Sequence, residues 1–348
     1  MTRNLINTSG PGLRDKLRFL SDPATYPDAE GDVEAIETHM SWVFLTGDRV
    51  YKLKKPVKYS FLDFRTLEKR KQDVEDEIRL NSRLSPDVYL GMRTVRQTAD
   101  GSLSLDGQGT IVDWLVEMRR LPEDRTLEAL MAKDKVTRAD IDRVVEVLSE
   151  FYRSLPPADI TADALIDRFE EEHAETAAVL SDPKMEMDGY RVAEVLREFD
   201  ASFETARPLL RDRIATGRIV EGHGDLRPEH IFLTDPIEII DCLEFSRRLR
   251  TLDPFEEITF LGLEAAQMGV GWVHGALYNG LSAALQDEVP PPLLAFYWRY
   301  RALLRARLAL AHLSEPRVRK PAKWRPLARH YITLAEEADV RFRLPEGR

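Results

Sequence analysis

Short apolar runs broken by turn residues dominate the first third of the chain. Trp42-Val43-Phe44-Leu45 and Arg49-Val50-Tyr51-Lys52-Leu53 are rich in β-branched and aromatic residues, and Thr46-Gly47-Asp48 lies between them. That pattern predicts a hairpin. From Arg65 to Leu84 the period lengthens, so that Leu67, Val74, Ile78, Asn81 and Leu84 share one face of a predicted helix. Extended segments return at Val88–Gln97 and Gly109–Met118, with Ala99-Asp100-Gly101 as the turn. After Leu121-Pro122 the pattern turns mostly helical, with amphipathic runs near 138–153, 161–180, 189–214, 291–313 and 322–338. The expected division is therefore a sheet-bearing lobe over residues 1–120 and a helical lobe over residues 121–348, with one cleft. A single later region interrupts the helices: HGDLRPEHIFL (223–233), then Asp235-Pro236 and the apolar strand Ile237–Asp241.

Size and charge narrow the reading. A chain of 348 residues exceeds what one core usually organises. The net charge of -10 offers no basic footprint, so a nucleic-acid partner is disfavoured. The stretch Leu293–Leu313 is apolar but carries Arg299, Arg301, Arg305 and Arg307, which marks it as a globular helix and argues against a membrane partner. The first 19 residues lack the apolar run of a signal peptide, and Cys242 stands alone, so a reducing cytoplasm is the expected compartment.

Chemistry is concentrated in the interrupting region. His223-Gly224-Asp225 sits on a loop, His230 follows, and Asp241 ends a strand. Phosphoryl transfer asks for one carboxylate to orient the attacking hydroxyl and another to hold a metal on the phosphates. Asp225 and Asp241 suit those two tasks.

HGDLRPEHI resembles the catalytic loop HGDLHxxNI of the aminoglycoside phosphotransferase-like family, and IIDCLEF (239–245) resembles its IDxxE segment. The likeness extends to HMSWVFLTGDRVYKLKKPV (39–57), FLDFRTLEKR (61–70), YLG (89–91) and DCLEF (241–245), spreading over about His39 to Asp253. Some relatives append a P-loop ATPase domain, but no GxxxxGK[ST] occurs here. The resemblance implies an α+β, two-lobed protein-kinase-like fold, with a small antiparallel-sheet N-lobe and a mostly helical C-lobe. It implies ATP and Mg2+ as cofactors and transfer of the γ-phosphate to a hydroxyl of a small molecule. Asp225 would be the catalytic base, Asp241 the metal ligand standing where D-F-G begins, and Glu244 a nearby acid.

Lys52 resembles the lysine that holds the α- and β-phosphates, and Lys54 shares its face of the strand by the period of two. Glu77 and Glu75 could each fix that lysine. At about 100° per residue Glu77 falls on the inward stripe with Asn81 and Leu84, whereas Glu75 turns outward. Glu117 and Met118 are the expected adenine hinge, through main-chain atoms, and Ser41 is the expected phosphate donor where the family's relatives elsewhere use glycines. Two positions depart from the pattern. His230 replaces an Asn that helps hold metal, so His230 either binds metal, with Mn2+ then possible, or braces the loop. Arg227 replaces a His and either positions acceptor or nucleotide or pairs with Glu229 or Asp225. Acidic Glu244, Glu256 and Glu257 would suit an amino sugar or aminoglycoside-like acceptor. A nucleotide-binding pseudokinase that regulates a protein partner is the alternative, whereas Asp253-Pro254-Phe255-Glu256 reads as a helix start with a capping aspartate.

Overall fold

The β-branched runs around Thr46-Gly47-Asp48 pair as β2 (Ser41–Thr46) and β3 (Arg49–Lys54) in the computed structural model, which describes residues 11–27, 31–59, 62–314 and 318–342. The signal-peptide reading of residues 1–10 lies outside the described residues. Gly47 takes the left-handed turn conformation (φ 43°) that the tight reversal requires. Helix α1 (Leu13–Leu20) precedes β1 (Glu34–Glu37), and β4 (Tyr89–Gln97), β5 (Leu103–Leu105) and β6 (Thr110–Arg119) complete an antiparallel sheet of order β1-β2-β3-β6-β4-β5. Helix α2 (Leu67–Asn81) is inserted between β3 and β4, and Thr66 caps it by accepting from Lys69 N–H at 3.3 Å.

The two-residue period of β3 divides its side chains between two environments. Tyr51 and Leu53 enter a core with Leu20, Tyr26, Phe44, Val95 and Leu115. Lys52 and Lys54 point to the other face and meet α2. The short strand β9 (Glu238–Ile239) comes much later in sequence, yet it packs with this unit, which comprises Met1–Glu123 and Thr234–Arg247. Ser85 is the reason: its Oγ donates to the Ile239 carbonyl at 2.9 Å and accepts from the Ile239 N–H at 2.8 Å. A split of the chain at residue 120 omits this return.

The second unit comprises Asp124–Leu233 and Arg248–Arg348. Its helices are α3 (Leu127–Ala132), α4 (Arg138–Ser154), α5 (Ala162–Leu180), α6 (Gly189–Ala215), α8 (Pro254–Gln267), α9 (Trp272–Leu285), α10 (Pro291–Ala311), α11 (Pro321–Glu336) and α12 (Ala338–Arg341). The short elements β7 (Val220–Glu221), β8 (Ile231–Phe232), α7 (Arg247–Arg250) and β10 (Thr251–Leu252) accompany them. The expected helical runs therefore form with ends shifted by a few residues, as fraying termini allow. Thr137 and Asp140 close a capping box on α4, and Asp253 caps α8 by accepting from Phe255 N–H at 2.9 Å. Asp253 also receives Arg213 and Tyr297, which accounts for it structurally.

Helix α10 packs against α5, α6, α8 and α11. Phe296 meets Phe169, Phe199 and Phe203 with ring centroids 5.0, 5.6 and 5.3 Å apart. The four arginines that distinguish α10 from a membrane span each find a carboxylate: Arg299 on Asp339, Arg301 on Glu256, Arg305 on Glu264, and Arg307 on Glu172 and Glu175. Among the described residues no helix is long and apolar enough to cross a membrane.

Candidate active site

In the first unit one lysine joins a helix to the returning segment. Lys52 Nζ lies 2.8 Å from Glu77 Oε1 on α2 and 2.7 Å from Asp241 Oδ1. Burial alone would lower the Lys52 pKa, but Asp241, Glu77 and Glu244 outweigh it and hold the ammonium well above its ordinary value. Glu77 is held below the ordinary carboxylate range: burial pushes it up, and Lys52 and Lys54 together pull it further down. Glu75 instead faces outward and pairs with Lys71 at 3.4 Å. The helical geometry that separated the two glutamates in sequence separates them in space.

Lys54 occupies a different setting on the same face. Its side chain is 1% exposed against 15% for Lys52, and its Nζ lies 2.7, 2.5 and 2.5 Å from Asp73, Glu77 and Glu244. These three carboxylates cluster as metal ligands would. The Lys54 ammonium already sits among them, so the cluster is satisfied as a buried ionic network. Burial pushes Asp73 up to about 7, with Glu244 and Glu77 adding to the rise and Lys54 opposing it.

Asp241 is positioned by backbone strain and three anchors. Its φ of 64° lies in the left-handed region, which aspartate tolerates better than bulkier residues. Tyr89 Oη accepts the Asp241 N–H at 3.2 Å, and Asn81 Oδ1 accepts the following Cys242 N–H at 2.8 Å. Asn81 sits one turn after Glu77 and donates its amide back to the Glu77 carbonyl at 2.8 Å. With Ser85 on Ile239, these contacts present the Asp241 carboxylate 44% exposed beside Lys52.

The second unit holds the His223–His230 loop. Gly224 has φ 88°, which favours glycine, and the N–H groups of His223 and Gly224 both donate to the buried carboxylate of Glu257. Tyr152 Oη donates to the same carboxylate at 2.6 Å. Asp225 then projects a side chain 30% exposed, with Arg227 Nε 3.1 Å from its Oδ2. Burial would raise the Asp225 pKa, but Arg227, His230, Arg305 and His223 bring it below the ordinary value, so the group stays ionised at neutral pH.

His230 meets neighbours through both ring nitrogens. Arg227 Nη2 lies 3.2 Å from its Nε2, and its Nδ1 lies 2.8 Å from the Asp225 carbonyl. A guanidinium only donates, so Nε2 accepts and Nδ1–H donates. Both ring nitrogens contact groups of the loop, the arrangement of the bracing alternative. Arg227 also reaches Glu229 at 2.7 Å, so it pairs with both carboxylates considered for it.

Three further expectations change. Glu117 and Met118 lie inside a central strand, opposite Tyr51 and Val50 on β3 and Gly91 and Tyr89 on β4, so their main-chain groups belong to the sheet. The Glu117 side chain faces away from Lys52 and receives Tyr51 at 3.0 Å and Arg93 at 2.8 Å. Ser41 is buried at the start of β2; its N–H donates to Thr38 Oγ1 and its carbonyl receives the Thr38 N–H, closing a turn that takes up its main-chain donor. The acidic residues read as an amine-binding surface are committed elsewhere: Glu244 on Lys54, Glu256 between Arg168 and Arg301, and Glu257 beneath the loop. Sequence reasoning passed over Asn81, Ser85 and Tyr89 as anchors of the Asp241 segment. Only the inward stripe that carries Asn81 hinted at them.

This arrangement belongs to a fold class: the chain has the two-lobed α+β, kinase-like fold of aminoglycoside phosphotransferase-like proteins. It is similar to a choline/ethanolamine kinase family protein from Mesorhizobium loti, at 17% identity, 96% coverage of each chain and a TM-score of 0.54. It is also similar to a thermostable mutant of the aminoglycoside phosphotransferase APH(4)-Ia, solved as a ternary complex with ADP and hygromycin B, at 12% identity, 90% coverage of this chain, 95% of that chain and a TM-score of 0.50. In sequence the chain is 30% identical over 330 residues to the uncharacterized proteins Rv2004c of Mycobacterium tuberculosis and Mb2027c of Mycobacterium bovis. The match covers 90% of this chain, and the chain spans 62% of the length of those relatives. No protein-family model matches the chain.

Proposed function

We propose that this chain is an ATP-dependent phosphotransferase acting on a hydroxyl of a small molecule. The observation that carries the reading is Lys52, held between Glu77 and Asp241 in a mostly buried setting. Kinase-type transfer needs that lysine on the phosphates and that aspartate on the metal. Magnesium takes hard oxygen donors, and the partly exposed Asp241 carboxylate offers one. The bound ion supplies positive charge that neutralises the phosphate oxygens. With His230 bracing its loop, nothing in its placement favours manganese.

In the transfer itself the acceptor oxygen forms a bond to the γ-phosphorus, the bridging bond to the β-phosphate oxygen breaks, and ADP leaves. The acceptor proton passes to Asp225, whose carboxylate Arg227 pairs with and keeps ionised, while His230 holds the Asp225 carbonyl. One observation favours the alternative of a nucleotide-binding regulator with a protein partner: the loop lacks a second oxygen ligand where His230 stands.

The experiment is acceptor-dependent ADP release from MgATP over a panel of polyols, amino sugars and sugar acids, comparing wild type with Asp225→Asn. Release that falls at least ~100-fold in the variant supports the transferase. Release indifferent to Asp225→Asn sinks the assignment of the base, and ADP binding with no release on any acceptor favours the regulator.

A further inference from the structure

Resting on the phosphotransferase reading, we infer that the acceptor carries an anionic group, a carboxylate or a phosphate, and binds in a cavity beside the Asp225 loop where Lys323 and Arg305 receive that group.

The cavity has a volume of 290 Å3 and lies wholly within the second unit. Arg227, Pro228 and Glu229 of the loop form one wall, and α8, α10 and α11 supply Glu264, Arg305, Lys323, Trp324 and Tyr331. Its volume sits at the low end of small-molecule pockets, which span roughly 300–1,000 Å3, and suits a monosaccharide-sized molecule better than a multi-ring one. Arg305 is close enough to Asp225 for each to shift the other's titration, so the cavity adjoins the proposed base.

The placement of the charges argues for the ligand class. Two of the three lining glutamates already have arginine partners: Glu229 meets Arg227 at 2.7 Å, and Glu264 holds Arg305 through Nε at 3.0 Å and Nη2 at 3.1 Å. Tyr331 Oη also donates to Glu264. A polycation needs uncommitted carboxylates, and here only the exposed Glu128 lacks an ion pair among the described residues. Burial and Glu229 push the Glu128 pKa upward, with Arg227, Lys323 and His230 opposing the rise. Against that one acid stand the Lys323 ammonium and the remaining edge of the Arg305 guanidinium. Among the described residues no acceptor meets Arg305 Nη1, and Lys323 Nζ lies over the Trp324 ring, 5.1 Å from its centroid, with Glu128 within electrostatic reach. Trp324 in turn stacks on His312 at 3.9 Å, forming a flat apolar surface beside these cations. An acid with several hydroxyls fits a floor of this kind: its anionic group meets Lys323 and Arg305, and its carbon face lies on the indole.

The test titrates the full chain calorimetrically, without nucleotide, with gluconate, glycerol phosphate, glucose and kanamycin, and then measures transfer from MgATP to each. Gluconate separates carboxylate recognition from the phosphate recognition that glycerol phosphate reports. Binding and kcat/KM at least about tenfold better for one of the acids than for glucose or kanamycin is expected, with Lys323→Glu raising KM for that acid about tenfold while moving kcat little. Rising salt should weaken the same binding. Kanamycin bound and phosphorylated as well as the acids overturns the inference and leaves the transferase standing. Acid binding that Lys323→Glu removes, with no transfer to any acceptor, upholds the cavity's preference and sinks the catalytic reading. Failure of both acids to bind overturns the inference.

Discussion

Lys52 and Lys54 are two residues apart on one face of one strand, yet their surroundings divide them. Lys52 keeps a solvent-facing side toward Asp241, whereas Lys54 is buried among Asp73, Glu77 and Glu244. The second lysine serves the fold, and the pH dependence of stability should show it. Asp73 keeps its proton in the folded protein up to about 7, while an unfolded aspartate loses it near ~3.9. Between those values the unfolded state binds fewer protons than the folded one, so this group's contribution to stability falls as pH rises. Asp73→Asn lacks the titration. Its stability relative to wild type, from urea unfolding at pH 5 and pH 8, should therefore improve at the higher pH. A difference that stays flat would mean that Asp73 titrates at its ordinary value. Glu77 works in the opposite sense in both proteins, because its depressed pKa favours the fold above the unfolded value and loses that effect in acid.

At the scale of elements, the two loops that carry carboxylates are held by groups outside them. The Asp241 segment is pinned by α2 and its C-terminal turn through Asn81 and Ser85, and the Asp225 loop rests on α8 through Glu257. Glu257 is itself steadied from α4 by Tyr152. Tyr152→Phe removes one donor from a buried carboxylate and should cost about 1–3 kcal/mol in urea unfolding. Because the carboxylate also receives the loop N–H groups, kcat should fall more than nucleotide affinity does. Unchanged stability and unchanged kcat would show that Glu257 holds the loop without this partner. The elements themselves were legible from periodicity: hairpin, inserted helix and amphipathic helices all form near their expected places. Their anchors were not, since Tyr152 and Glu257 are 105 residues apart and nothing local marks them as a pair.

For the molecule as a whole, nucleotide binding must register as stability, because a ligand bound only by the folded state shifts unfolding by mass action. At a hundredfold excess over Kd, MgADP should stabilise the wild-type chain by about 2.7 kcal/mol, seen as a rise in Tm. Lys52→Met should lose most of that rise. An equal rise in both proteins would remove Lys52 from the nucleotide site whatever the acceptor proves to be.

The sequence by itself determined the fold class, the pairing of β2 with β3, and the choice of Glu77 over Glu75. Each depends on the chain's own periodicity or on the resemblance of contiguous motifs, and such patterns are local. It also marked Asp225 and Asp241 as the carboxylates to watch. Tertiary structure alone decided what their neighbours do. His230 braces its loop because Arg227 and the Asp225 carbonyl meet both ring nitrogens, and Glu117 and Met118 lie in the sheet because strands pair on both sides of them. Glu256 and Glu257 ceased to be an acceptor surface once Arg168, Arg301 and Tyr152 reached them from distant helices. A buried charge or main-chain group must find its partner wherever the fold supplies one, and that partner's position in the chain is not written in the local pattern.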